Sequence, residues 1–303
     1  MIQSIRVTNL KGESLMMELG SPEKSGLLVR SITGLGPPQA SINTYDTATI
    51  DGARYVNSRA QIRNIILTLC PIWTSENSLE ENRMKAYHFF PIKQEVKFEV
   101  ITDHKQVYAI GYVESNDADI FSDSETLTIS LICPDPYFYQ SGGEEEIVFN
   151  GIEPMFEFEF SNESLTENLL EMSRINTLKE KTIDYVGDAK IGFRIVLRFV
   201  GSVTGNILIY NPVTHETMSI DTSKIPRMVI HNNDSIEIST VPGNKYVKFI
   251  RGSTETNILN SVDRTTISWF TLQQGPNTII YTADNGEDNI LFSMFFKPAF
   301  QGV

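Results

Sequence analysis

Four histidines, His88, His104, His215 and His231, are the side chains best suited to proton or metal chemistry near neutral pH, and they stand singly along the 303 residues. None belongs to a His-Glu-x-x-His pair or to another ligand spacing, so surface and packing roles suit them better than a zinc site. A nucleophile elbow needs Gly-x-Ser-x-Gly, and "GSVTG" places Ser202 one position early. Glu157 and Glu159 of "MFEFEF" share one strand face while Phe156, Phe158 and Phe160 share the other. That is the pattern of an amphipathic strand, not of two acids facing each other across a sugar. "DADIFSDSE" and "DNGEDN" have the composition of calcium loops without the Asp-x-Asp-x-Asp-Gly spacing, and read as solvated turns. Gly34 and Gly36 in "GLGPPQ" lack the glycine spacing and following helix of a phosphate or dinucleotide loop. Beside Pro37 and Pro38 they read as a structural turn that needs unusual backbone angles. No catalytic residue, metal site or cofactor is assigned.

Trp269, Phe270, Tyr281, Phe295 and Phe296 admit two readings. Trp269 and Tyr281 are the residues a glycan-stacking face would use, and the same aromatics would otherwise fill the core of a sandwich. Cys70 and Cys133 each end an apolar run; two cysteines make no disulfide framework, and buried thiols are the expectation.

A content of 41% apolar and 10% aromatic residues suits a core-forming protein of two ordinary domains or one large one. No window reaches the roughly 18 consecutive apolar residues that span a bilayer, so no membrane insertion is expected. "MIQSIRVTNLKGESL" alternates and carries charge, which reads as a first strand and not as a signal peptide, with synthesis in a cytoplasm. Net charge is −13, and both parts are acidic: −5 up to residue 140 (12 basic, 17 acidic) and −8 beyond it (13 basic, 21 acidic). Without a basic stripe to displace phosphate counterions, nucleic-acid binding is disfavoured.

Most of the chain alternates with period two, the mark of half-buried antiparallel strands. "EVKFEVITDHKQVYAIGYVES" is a hairpin turning at Asp103, His104 and Lys105. One helix is expected at about 78–90: Ser78 and Glu81 form a capping box, Leu79, Met84, Tyr87 and Phe90 make a rough stripe, and Pro91 stops it. "CPDPYFYQSGGEEE" breaks the pattern as a linker. The expected division is 1–140, a mainly β domain with one helix, and 141–303, a β-sandwich. The stretch from Ser161 to Asp184 interrupts the sandwich as an insert with short helical turns.

The order of these pieces resembles the phage distal tail protein (Dit) family of siphophage-type tails. The resemblance is carried by Gly34-Leu35-Gly36-Pro37-Pro38, by Asp51-Gly52, by Arg59 and Arg63-Asn64-Ile65, by the following helix, and by Cys133-Pro134-Asp135-Pro136-Tyr137-Phe138. "IYNPVTHETMSID" and "LQQGPNTIIYTADNG" followed by "ILFSMFFKPAFQGV" carry it more weakly in the second half. The insert at 161–184 departs from the family pattern.

The resemblance implies a non-enzymatic virion protein at the tail tip, with a barrel-like ring-forming first domain and a galectin-like or carbohydrate-module-like second one. It implies a homo-hexamer that stacks on the tail tube protein and carries a tip or lysin-like protein, with the tape measure and receptor-binding proteins as further partners. Within it, residues 41–59 would be an extended polar arm leaving a stiff Gly-Pro turn to meet the neighbouring subunit. Thr44, Tyr45, Asp46, Thr47, Arg54, Arg59 and Arg63 would lie at that seam. A carbohydrate-binding adhesion module is the alternative.

Overall fold

Two separately packed units make up the chain: Met1–Gly143 together with Ala299–Val303, and Glu144–Pro298. The computed structural model describes residues 1–46, 51–121, 124–154, 173–225, 229–265 and 267–303, with the main chain alone at 150–154 and 173–177.

The first unit runs β1 (Ile2–Asn9), β2 (Ser14–Glu18), β3 (Leu27–Thr33), β4 (Ala40–Asp46), β5 (Ala53–Ala60), β6 (Arg63–Pro71), α1 (Leu79–Phe89), β7 (Glu95–Thr102), β8 (Gln106–Asp119), β9 (Thr126–Cys133) and β10 (Phe138–Gln140). Its main sheet is antiparallel in the order β2-β1-β7-β8-β9-β6-β3. Alternation fixes which side faces inward: in β6, Ile65, Leu67 and Leu69 are fully buried while Asn64 and Ile66 are exposed. The inward residues of β1, β2, β3, β6, β7, β8 and β9 join Ala86, Phe90, Phe138 and Phe300 in one cluster, so the sheet wraps its core in the barrel-like manner expected. The β7–β8 hairpin turns at Asp103–Lys105, where Thr102 donates its N–H to the Lys105 carbonyl at 2.8 Å.

Helix α1 begins as its capping box requires. Ser78 N–H donates to Glu81 Oε2 at 2.7 Å, and the Ser78 hydroxyl oxygen accepts from Glu81 N–H. Its buried face differs from the expected stripe: Asn82 and Ala86 point inward, and Met84 is 54% exposed. The cause is close approach, because Gly26 leaves the space that the Asn82 side chain fills, and Asn82 Nδ2 donates to the Ile72 carbonyl at 2.8 Å.

The second unit runs β11 (Glu145–Val148), β12 (Asn150–Pro154), β13 (Ser173–Thr177), β14 (Glu180–Tyr185), β15 (Arg194–Phe199), β16 (Thr204–Asn211), β17 (Glu216–Asp221), β18 (Ser235–Ser239), β19 (Tyr246–Arg251), β20 (Thr254–Asn257), β21 (Gly275–Asn285) and β22 (Ile290–Phe296). Sheets β11-β22-β15-β18-β19-β20 and β14-β21-β16-β17 face each other as a sandwich. Tyr281 of one sheet stacks on Phe292 of the other, ring centres 5.0 Å apart, and Tyr185 meets Phe296 edge-on. Within the expected helical insert, residues 173–177 are strand β13 and 180–184 belong to strand β14; residues 161–172 of the insert, and Glu157 and Glu159 before it, lie outside the described residues. A last strand, β23 (Ala299–Phe300), belongs to the first unit, where it pairs with β10.

Candidate functional site

Strands β4 and β5 form a two-stranded ribbon of their own, paired from Ala40↔Ala60 to Asp46↔Ala53 and, among the described residues, joined to no other strand. Every residue of β5 is exposed, and so is all of β4 except the half-buried Ser41. Between Asn43↔Asn57 and Thr44↔Tyr55 the register slips, leaving Val56 as the extra residue of a bulge. Alternation gives the ribbon two unlike sides. One carries Ile42, Thr44, Tyr55 and Ser58, with the Tyr55 and Ser58 hydroxyls 2.9 Å apart. The other carries Asn43, Tyr45, Arg54, Asn57 and Arg59, with Asn43 Nδ2 donating to Asn57 Oδ1 at 2.6 Å. Among the described residues no ion pair involves Arg54 or Arg59. The structure thus brings Thr44, Tyr45, Asp46, Arg54 and Arg59 together on one arm; Thr47 lies outside the described residues.

Arg63 is placed elsewhere. It is 3% exposed, in phase with the buried Ile65, Leu67 and Leu69, so it does not lie at an open seam. Its guanidinium is consumed inside the unit. Nε donates to the Pro136 carbonyl at 2.7 Å, Nη1 to the carbonyls of Gly34 and, at 2.6 Å, Gly36, and Nη2 to that of Gln301 at 2.5 Å. The ring of Phe138 lies 4.4 Å beneath it. Burial draws the guanidinium pKa below its ordinary value, yet an arginine stays charged at any ordinary pH. Four main-chain dipoles and one aromatic face therefore stand in for the water that this cation has lost.

The clamp joins three separated segments: the Gly-Pro turn, the Cys-Pro-Asp-Pro-Tyr-Phe segment and the residues after the second unit. It also sits at the root of the arm, because Gly34 and Gly36 precede β4 and Arg63 follows β5. Gly34 has φ of +82°, and a Cβ there would fall 2.1 Å from the Asn64 carbonyl oxygen, so only glycine fits. Gly36 has neither constraint, contrary to the expected need for an unusual angle at both glycines. Its contribution is its carbonyl. Pro37 and Pro38 lie in irregular backbone between β3 and β4. Val303 N–H closes the knot on the Leu35 carbonyl at 3.1 Å.

The aromatic pair proposed for a glycan face separates. Tyr281 is fully buried in the sandwich core, and burial pushes its hydroxyl up to about 12; it is a core residue. Trp269 is half-buried under Lys245, whose Nζ lies 5.3 Å from the ring centre. Among the described residues, no group of three or more His, Cys, Asp or Glu side chains is arranged to hold a metal. His88 instead meets Glu13 at 2.6 Å on the surface.

The clamp was missed by sequence reasoning, although one signal pointed to it. Arg63 occupies an inward position of "RNIILTL", and an arginine in core phase must find several acceptors nearby.

No protein-family model and no curated protein sequence matches the chain. Among solved structures, the Dit protein (gp 19.1) of phage SPP1, described as a paradigm of the hub adsorption apparatus in phages infecting Gram-positive bacteria, is similar with a TM-score of 0.62. Identity is 12%, over 98% of this chain and 99% of that one. The phage P2 baseplate in its activated conformation aligns less well: with Ca, TM-score 0.48 at 14% identity over 100% of both chains, and with Sr, 0.43 at 15% over 97% of both. The first likeness shows a Dit-like fold from end to end; the baseplate likenesses carry no further weight.

Proposed function

We propose that this chain, with its Dit-like fold, is a non-enzymatic structural protein of a phage tail tip that assembles as a ring, a hexamer in the first instance. The observation that carries the reading is the β4–β5 ribbon. A two-stranded hairpin is marginal alone in water, and this one buries neither side within its own unit. A neighbouring copy offers the missing surface, and closed symmetry lets every copy give and receive the arm identically. The apolar side with Ile42 and Tyr55 would lie against the neighbour, leaving Arg54 and Arg59 at the rim.

In this reading the ring joins the tail tube protein to a tip or lysin-like protein near the tape measure, and the second unit, a galectin-like sandwich, projects outward and docks receptor-binding proteins. The fold of the SPP1 Dit protein supports this, as does the acidic balance of both units, which suits a channel that passes DNA without holding it. Negative-stain imaging with light scattering tests it: six-fold rings with a central hole are expected, and a strict monomer at high concentration would sink it. The adhesion alternative predicts that the purified protein is pulled down by host cell wall without any other tail component.

A further inference from the structure

The end of the first unit opposite the arm is also unusual. β6 leaves the arm at Arg63 and ends at Pro71, about 26 Å away at 3.3 Å per residue. There Leu69 pairs with Leu127, and Leu127 with Ala118, so the ends of β6 and β8 and the start of β9 form one row. Just beyond that row Trp73 is 73% exposed and Phe121 is 95% exposed, with Ile120 exposed beside it. Strand spacing of about 4.8 Å puts the two chain paths roughly 10 Å apart across β9. Two aromatics and an isoleucine displayed together at one end are more than the scattered single apolar residues of an ordinary surface.

Their surroundings are strongly acidic. Glu76, Glu80, Asp117 and Asp119 are all exposed at this end. Neither 73–82 nor 106–125 contains a lysine or arginine. Glu125 is engaged by Arg83 of α1 at 2.9 Å, which braces the β8–β9 hairpin against the helix. Aromatic anchors inside an anionic rim select one class of occupant. The same end of a second copy would set acid against acid, which is repulsive. The arm of a second copy offers no compensating charge, since Asp46, Asp51, Arg54 and Arg59 cancel. Nucleic acid and anionic lipid are repelled.

We infer that this end is a docking face for a different protein, one that presents apolar pockets for Trp73 and Phe121 inside a collar of lysine and arginine. The aromatics supply the buried anchors of such an interface, and the acidic rim steers and orients the partner. The inference rests on the tail-tip reading for the particle in which the partner is sought.

The test replaces Phe121 by photoreactive p-benzoylphenylalanine in the full chain and irradiates purified tail particles. A cross-link to a second kind of polypeptide, mapping within a few residues of lysine or arginine, is expected. A cross-link to another copy of this chain, or none, would overturn the inference and leave the tail-tip reading standing. Absence of the unmodified chain from purified particles would overturn the tail-tip reading itself. In parallel, Trp73→Ser with Phe121→Ser should keep the parent's oligomer size and melting temperature while its incorporation into particles falls at least tenfold. Undiminished incorporation, or loss of the oligomer, counts against the docking face.

Discussion

Arg63 Nη2 donates to the main-chain oxygen of Gln301 at 2.5 Å across 238 positions of sequence. The same guanidinium holds Gly34, Gly36 and Pro136, so one side chain fixes the arm's root and the last strand together. Arg63→Met leaves four main-chain carbonyls, now in partly buried hydrogen bonds, short of a donor, at about 1–3 kcal/mol for each that cannot turn to water. A loss of about 4 kcal/mol in unfolding free energy is expected, measured by urea titration. Arg63→Lys keeps the charge without the planar fork and should still lose about 2 kcal/mol. An Arg63→Met protein as stable as the parent would show that the clamp is not structural.

The two glycines of the turn should respond differently. Gly34→Ala meets both a left-handed backbone and the Asn64 carbonyl, and about 2–4 kcal/mol of destabilisation is expected. Gly36→Ala meets open space and should stay within about 0.5 kcal/mol of the parent. Thermal unfolding of both variants checks the contrast, and equal effects would refute it.

On the arm, Ile42→Ser with Tyr55→Ser removes the apolar side without touching the core. Melting of the separated subunit should be unchanged within about 0.5 kcal/mol, while light scattering reports a shift from ring to smaller species. Intact rings in the double variant would remove the arm from the subunit contact.

Asp234 gives a pH-dependent check within the sandwich. Its carboxylate accepts from Arg251 Nε and Nη2 at 2.9 and 2.6 Å and from His231 N–H at 2.7 Å. The Arg251 hydrogen bonds are the main reason its pKa falls below the ordinary value, with burial opposing them. A depressed carboxylate stabilises the fold above its unfolded pKa of about 3.9. That contribution disappears as pH falls through the lower folded value. Asp234→Asn should therefore melt lower than the parent at pH 7, and the gap should narrow steadily from about pH 5 downward. A gap independent of pH would assign the loss to packing instead.

Much of the architecture was legible because burial writes itself into alternation. The β7–β8 hairpin, the capping box at Ser78 and Glu81, and the strand-rich character of both units follow from period two and short-range hydrogen bonding; the barrel-like first unit came from the family resemblance. What escaped depends on contacts far apart in sequence. The role of Arg63 is set by carbonyls of residues 34, 36, 136 and 301, and a main-chain carbonyl carries no residue-type signal. Tyr281 and Trp269 look alike in sequence, and only the sheet pairing puts one in the core and the other near solvent. Asn82 faces inward in place of Met84 because Gly26, 56 positions upstream, leaves room for it.

The pairing of β10 with β23 also sets an order in time. A ribosome delivers the arm, its acceptor strands and Pro136 first, then residues 144–298, and only then Gln301. At roughly 5–20 residues per second the arginine waits on the order of ten to thirty seconds for its fourth acceptor. During that interval a nascent chain carries an arm whose base is held by three of the four carbonyls that Arg63 finally engages. The first unit is therefore completed only after the whole of the second has been made.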